Sequence, residues 1–384
     1  MNCNKIDEEI LYIVTTLQKA SYETYIVGGA VRDMLLNIPP KDYDISTSAT
    51  PEEIKTIFKR RTRIIGHRFK LIHYYAKNRR IVEISTFRRE PPETQKFIEI
   101  KGRLRPNDNC YGTSYEDAWR RDFTVNAIFY DPINNKFLDF TGMGRNDLER
   151  KILRTIGEPT LKFAEDPVRI LRALKLIGIY DFFPEEQTEK AFLELMPLIR
   201  NTSISRLSLE FEKILKNQNT GKILKTFLDY GFLEYFLPNL NSEFMQNPEK
   251  KEILFALFEE WNKRISTGRF RISMSIALSL LIAPFLPFIV NLNDAMKFEE
   301  KRREIDVSIF IKKLIYPHIF PKRLLAISIE ILFLQSALLN CRKNHRIMKH
   351  PHFHHALEFV EILNSVIWKN NDLSLKLSMG KSLQ

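Results

Sequence analysis

Cysteine is scarce. Only Cys3, Cys110 and Cys341 occur in 384 residues, far apart and with no CxxC pair. That excludes a disulfide framework, gives no sign of a zinc site, and fits a reducing compartment, so a cytoplasmic location is expected. The first ten residues, MNCNKIDEEI, lack a basic stretch followed by an apolar one and do not read as a signal peptide. Long apolar runs are also missing. The most apolar stretch, residues 276–290, is shorter than the roughly 20 residues that span a bilayer, and Pro284 and Pro287 interrupt it. A buried core helix followed by a turn is expected there. No fixed-period repeat and no low-complexity tract is visible.

What the chain does have is positive charge. Lys and Arg number 59 against 47 Asp and Glu, a net +12. Such a balance suits a polyanionic partner, although it would equally suit a generally basic organism. The length allows two or three domains with ample core.

The first 150 residues mix helix and strand patterns. Ile6, Ile10, Leu11, Val14 and Leu17 have helical spacing. Residues 25–27 form an apolar run ending at Gly28-Gly29, which predicts strand, tight turn, then a helix over 31–36. After the turn Pro39-Pro40-Lys41, a strand is expected over 42–46. Thr50-Pro51-Glu52-Glu53 is a helix start, with Thr as cap and acids in the first turn. Strands are expected over 71–76, 80–87, 124–130 and 136–139. Residues 88–115 show no period and predict a mobile loop. Beyond about residue 150 the chain predicts helix after helix, punctuated by prolines. The expectation is an α/β head of small mixed sheet and helices, residues 1–150, then an all-α neck (151–215) and body with tail (216–384).

The chemistry is concentrated in the head. Asp42 and Asp44, at i and i+2 on a strand, would face the same way and repel unless a cation lies between them. Mg²⁺ suits carboxylate oxygens plus substrate phosphates, and two such ions can activate a 3′-hydroxyl and stabilise departing pyrophosphate. Gly28-Gly29 before a helix would let backbone N–H groups approach phosphate, with Arg32 on the same helix start. A DxD alone occurs by chance in many chains; the order strand, Gly-Gly, helix, turn, DxD is what makes it specific. Glu83, alternating with apolar neighbours, is the candidate third acid, or else a surface strand residue. Arg121, Asp122 and Asn126 could read ribose hydroxyls and phosphate, or could be a helix-capping segment. Asp166 and Arg169, three apart on a helix, could be a surface ion pair, or could present an acceptor and a forked donor to a base edge.

The runs YIVGGAVRDMLL, KDYDIS, RRDFTVNAIFYD, DFTGMGRNDLERKILRTIG and EDPVRILRAL resemble bacterial class II tRNA CCA-adding enzymes and poly(A) polymerases. The resemblance is specific over residues 22–180 and extends more weakly to about 365. Residues 64–73 resemble the basic signature of the poly(A) polymerase branch, with His67 in place of its usual basic residue, and FPKRLLAISIEILFLQ and MKHPHFHHALEFVEIL resemble that branch's C-terminal helices. The resemblance implies Asp42 and Asp44 as metal ligands for two Mg²⁺ ions, and Gly28, Gly29 and Arg32 as the triphosphate site. It implies that Arg121, Asp122 and Asn126 contact ribose and phosphates, that Asp166 and Arg169 face the base, and that Arg172 supports them. The implied substrates are ATP and RNA 3′ ends, of mRNA or tRNA, handled by a monomer away from membranes. Met143 stands where many members have a second glycine, which weakens the expectation of a hinge there. A long basic C-terminal tail, present in some poly(A) polymerases, is not seen before MGKSLQ, so a weaker grip on RNA is expected.

Other clusters carry less. The histidines at 345, 350, 352, 354 and 355 are irregularly spaced and read better as a basic surface than as a metal site. Lys59-Arg60-Arg61 with Arg63, and Lys77 with Arg79-Arg80, are solvated faces or RNA contacts. Residues 227–240 and 327–339 read as core. The competing functions are a CCA-adding enzyme using CTP and ATP, a non-catalytic RNA-binding relative, and a small-molecule nucleotidyltransferase. Intact Asp42 and Asp44 argue against the second, and a long basic helical body against the third.

Overall fold

The computed structural model describes residues 6–66, 70–77, 80–91, 97–100, 103–106, 110–292, 300–339 and 348–371. Contacts divide the chain into two units: Met1–Glu165 with Phe182–Phe192, and Asp166–Asp181 with Leu193–Gln384.

The first unit is built on a seven-stranded mixed sheet in the order β3-β4-β5-β2-β1-β8-β9. The strands are β1 (Thr24–Val27), β2 (Asp44–Thr47), β3 (Thr62–Ile65), β4 (Leu71–Tyr75), β5 (Ile81–Thr86), β8 (Ile128–Asp131) and β9 (Lys136–Asp139). Only β2 and β5 pair in parallel; the other neighbours are antiparallel. Helix α1 (Glu8–Lys19) buries Ile10, Ile13, Val14 and Leu17, and Asp7 caps it by accepting from the Glu9 N–H at 2.8 Å. Helix α2 (Gly29–Leu35) follows β1 directly. Helix α3 (Pro51–Phe58) starts at a capping box in which Thr50 and Glu53 satisfy each other's backbone N–H groups.

Three local expectations are corrected. The strand expected from residue 42 begins at Asp44. Its partner β1 ends opposite it, at the Val27–Asp44 pair, and Gly28 then turns the chain into α2, so β1 offers no strand partner beyond Asp44. Residues 124–126 are a 3-10 turn ahead of β8, not strand. Here the Thr124 N–H donates to the Arg154 carbonyl at 3.0 Å, and the Asn126 side chain donates to Asp122 at 3.2 Å. Within residues 88–115, where no period was legible, the described residues form a hairpin of β6 (Phe97–Ile100) and β7 (Arg103–Pro106) and open helix α4 (Ser114–Trp119). Runs of four residues are too short to show a period.

Beyond residue 150 the described chain is helical apart from one short parallel pair, β10 (Ile152–Leu153) with β11 (Phe183–Pro184), in the first unit. The second unit opens with helix α7 (Val168–Tyr180), which packs on α10 (Thr220–Asp229) at Gly178: a Cβ there would lie 2.9 Å from the Ile223 Cα. Helix α9 (Ile204–Leu215) buries Leu207, Phe211, Ile214 and Leu215. Phe211, Phe236 and His318 form an aromatic cluster in this unit. The apolar stretch from residue 276 is a buried helix, Met274–Ile282, followed by a 3-10 turn. It is cross-tied to the helix Lys322–Leu339 through Ser279 and Ser328. Arg264 is paired with Glu361 at 2.9 Å, both nearly sealed from solvent. Among the described residues no helix is long and apolar enough to cross a membrane.

Candidate active site

The site forms where β1 stops. Gly28 has φ +73, a left-handed conformation that suits glycine, and it serves as the N-cap of α2. A Cβ at Gly28 would come 3.4 Å from Arg121 Nη1 and 3.9 Å from Asp44 Oδ2. Arg121 and Asp44 therefore converge on the backbone of the glycine pair.

Strand pairing supplies the carboxylates. Asp44 on β2 lies opposite Glu83 on β5, and Glu83 lies opposite His73 on β4. Opposed residues project on the same face, and His73 Nε2 is 3.8 Å from Glu83 Oε1. Asp44 keeps part of its surface open to solvent while protein crowds its carboxylate. That desolvation raises its pKa, Glu83 and Asp42 raise it further, and Arg121 opposes them. Asp42, in the bend before β2, is exposed. Among the described residues no three His, Cys, Asp or Glu side chains gather closely enough to enclose a metal by themselves. What is present instead is a group of mutually repelling carboxylates; such an open set could hold Mg²⁺ only with substrate phosphate and water completing its coordination.

The cationic side is held by a polar network. Arg32 is buried; it grips Asp33 with Nε and Nη2 at 3.0 and 2.7 Å and donates from Nη1 to Asn126 Oδ1 at 2.8 Å. Asn126 in turn donates to Asp122, which also accepts from the Phe123 N–H at 2.9 Å. Arg121 lies over the Phe129 ring, 5.1 Å from its centroid, and donates to Asp117 at 2.8 Å. Its Nε is buried with no hydrogen-bond partner among the described residues. Asp117 lies on α4. Burial pushes its pKa upward, but Arg121 and Arg120 more than offset this and hold it low. Gly28, Gly29, Arg32, Asp42, Asp44, Glu83, Arg121, Asp122 and Asn126 thus all lie in the first unit; strand pairing joins Asp44 to Glu83, and the network joins Arg32, Asn126 and Asp122.

Asp166, Arg169 and Arg172 lie in the second unit. Asp166 precedes α7 and accepts from the Val168 N–H at 3.2 Å. Its other oxygen accepts from Arg206 of α9 at 2.7 Å. The carboxylate's ion pair is thus with Arg206, forty residues on, rather than with Arg169 as the i, i+3 spacing suggested.

Sequence reading missed Asp117 and Arg206. For Asp117 a signal existed: Asp117, Arg120 and Arg121 have the i, i+3, i+4 spacing of helical ion pairs. Arg206 had none, because the pairing depends on how α7 and α9 pack. Met143 has φ −117, a backbone any residue adopts, so the substitution for glycine is free of strain. The loop beside it is held by Asp139, which accepts from the Thr141, Gly142 and Arg145 N–H groups. His67, Arg68, Phe69, Arg79, His345, Cys3 and Cys341 lie outside the described residues.

Residues 24–154, which include this whole array, match the Poly A polymerase head domain. Residues 181–244 match the probable RNA and SrmB-binding site of polymerase A. The chain belongs to the poly(A) polymerase and tRNA nucleotidyltransferase family. Poly(A) polymerase I of Haemophilus influenzae is 40% identical over 243 residues, 62% of this chain and 53% of that one, so the chain aligns with about half of that relative. Poly(A) polymerase I of Salmonella typhimurium is 28% identical over 96% of this chain and 80% of its own length. The family also includes CCA-adding enzymes: that of a Geobacillus species is 35% identical over 68% of this chain and 61% of its own. The fold is that of the Bacillus stearothermophilus CCA-adding enzyme solved with CTP, at a TM-score of 0.63 and 24% identity over 97% of this chain and 82% of that one.

Proposed function

We propose that the chain is a template-independent nucleotidyltransferase that adds AMP from ATP to RNA 3′ ends. The observation that carries this reading is the convergence of Asp44 and Arg121 on Gly28, with Glu83 beside Asp44. An anionic edge suited to metal and a cationic edge suited to phosphate meet over one backbone turn. Asp42 and Asp44 would hold Mg²⁺, with Glu83 as the third acid. Bound there, the metal would supply Lewis-acid activation of the attacking 3′-hydroxyl and charge stabilisation of the departing pyrophosphate. Arg121, anchored by Asp117, offers its guanidinium edge to the triphosphate. Gly28 and Gly29 admit phosphate oxygens to within backbone reach. Arg32 fixes Asn126, and Asn126 fixes Asp122, so the ribose-facing groups are oriented before the nucleotide arrives.

The roles of Asp166, Arg169 and Arg172 follow from the chemistry of selection without a template. The Arg206 pair and the Val168 cap hold Asp166 in one rotamer and leave acceptor capacity for a base edge. Residues 1–150 act as the catalytic head, 151–215 as the neck and 216–384 as the RNA-binding body.

The choice of AMP rests on residues 64–73 and on the alignment with poly(A) polymerase I over nearly the whole chain. The second reading, CCA addition to tRNA, is favoured by the equally strong head resemblance to CCA-adding enzymes. Extension of two RNAs separates them: a tRNA lacking CCA and an unrelated oligomer, each with Mg²⁺ and single nucleotides. Long A-tails on both are expected. Addition restricted to C, C and A on the tRNA would replace this reading with the second.

A further inference from the structure

We infer that the open face of the head sheet at Tyr75, Ile81 and Arg63 seats the last nucleotides of the single-stranded RNA acceptor. This rests on the function proposed above and assigns the side from which the second reactant enters. Strand pairing sets Arg63, His73, Glu83 and Asp44 in one row across β3, β4, β5 and β2. The intervening residues Thr62, Ile72, Val82, Ile84 and Ile45 are all buried. The row therefore lies on the sheet's outer face.

One step along the same face, Tyr75 is paired with Ile81. They are 41% and 47% exposed, two large apolar side chains side by side in the open. The neighbouring Tyr74 shows what a structural tyrosine does here: it points inward, accepts from Arg61 at 2.9 Å and donates to Glu9 at 3.1 Å. Tyr75 has no such partner among the described residues, and neither does exposed Arg63. The step from Tyr75 to the Glu83 level is two strand residues, about 7 Å, and Asp44 lies two strands away, about 10 Å. That is the scale of one nucleotide.

The occupant is fixed by the sheet order. The phosphate-binding groups, Gly28 and Arg121, lie on the β1 side of Asp44. The β5-β4-β3 side is left for the other reactant. Its chemistry suits unpaired RNA: an aromatic face for a base, an apolar neighbour, and Arg63 for a phosphate, followed at the edge by exposed Lys59 and Arg60. Stacking of this kind tolerates any base, as a polymerase that repeatedly extends its own product requires. The acidic start of α1 does not cancel Arg63, because Asp7 and Glu9 are already matched by Arg80 at 3.1 Å and Arg61 at 3.9 Å.

The test uses the full chain with a fluorescein-labelled oligoadenylate, read by anisotropy, and steady-state extension with RNA and ATP varied separately. Tyr75→Ala should raise the RNA KM and the oligonucleotide Kd about ten-fold. The ATP KM, kcat and melting temperature should stay unchanged. Tyr75→Trp should restore binding, as a packing role would not. Arg63→Gln should weaken binding and reduce the slope of log affinity against log salt by about one. Wild-type binding and RNA KM in the Tyr75→Ala, Arg63→Gln double variant would overturn the assignment. So would failure of the wild-type chain to bind the oligonucleotide, or a shift in the ATP KM in place of the RNA KM. Absence of incorporation by a wild-type chain that binds the oligonucleotide would sink the functional reading, while the binding comparison would still decide the platform.

Discussion

Asp44 and Asp117 are both aspartates beside Arg121, and they are held in opposite ways. Asp44 has Glu83 and Asp42 against it and one arginine for it; Asp117 is buried with two arginines for it. Asp44→Asn removes a repelling charge at constant shape. Nucleotide incorporation should fall by roughly a hundred- to a thousand-fold or more, with the melting temperature unchanged or raised. Asp117→Asn leaves Arg120 and Arg121 without their buried counter-charge. Activity and melting temperature should fall together, the stability loss being of the order of 3 kcal/mol. Paired scanning calorimetry and extension assays would tell the two apart; a destabilised Asp44→Asn would contradict the account of the carboxylate cluster. The difference also marks what was legible. Asp44 and Glu83 stood out because strand alternation is a local pattern, whereas Asp42 was read onto the same strand and lies in the bend before it. The use of Asp117 as an anchor, and of Arg206 for Asp166, became visible only once helices had been placed against each other.

Elements with strong end signals were readable in advance. Helix α3 followed from Thr50-Pro51-Glu52-Glu53, and β9 from the strand-like run Lys136–Asp139. The segment 124–126 was not, because its residues favour strand locally while Asn126 is drawn into the Arg32–Asp122 network. Tertiary hydrogen bonds there outweigh propensity. The α7 and α10 contact is a further case that no periodicity announces. Gly178 lets the α10 backbone approach, and a methyl group would meet both the Ile223 Cα and Thr226 Oγ1 at 2.9 Å. Gly178→Ala gains helix propensity but overpacks the joint; a net loss of about 1–3 kcal/mol is expected. Chemical denaturation would measure it, and a more stable variant would show that the helices simply slide apart.

For the whole molecule, acid sensitivity should concentrate in the second unit. His318 is buried against Phe211 and Phe236, and its Nε2 lies 2.7 Å from the Phe236 carbonyl oxygen. Burial lowers its pKa from 6.5 to about 4, the carbonyl only partly opposing this. In the unfolded chain the ring takes up a proton as pH falls below 6.5, while the folded ring resists until about 4. Stability from this group is thus complete above 6.5 and declines across that window, by at most about 3 kcal/mol. Denaturation midpoints from pH 7 to 4 should fall in the wild type and stay flatter in His318→Gln; parallel curves would remove His318 as the cause.

The chain's path between the units carries one last consequence. It leaves the first unit at Glu165, returns at Phe182, and leaves again after Phe192. The return delivers β11 to its strand partner, β10. A single proteolytic nick therefore cannot yield two whole halves. A cut after Glu165 strips the head of β11, and a cut after Phe192 leaves α7 attached to the head and missing from the helical unit. Genetic exchange is constrained in the same way: the head could be traded between relatives only together with the helix that carries Arg169 and Arg172.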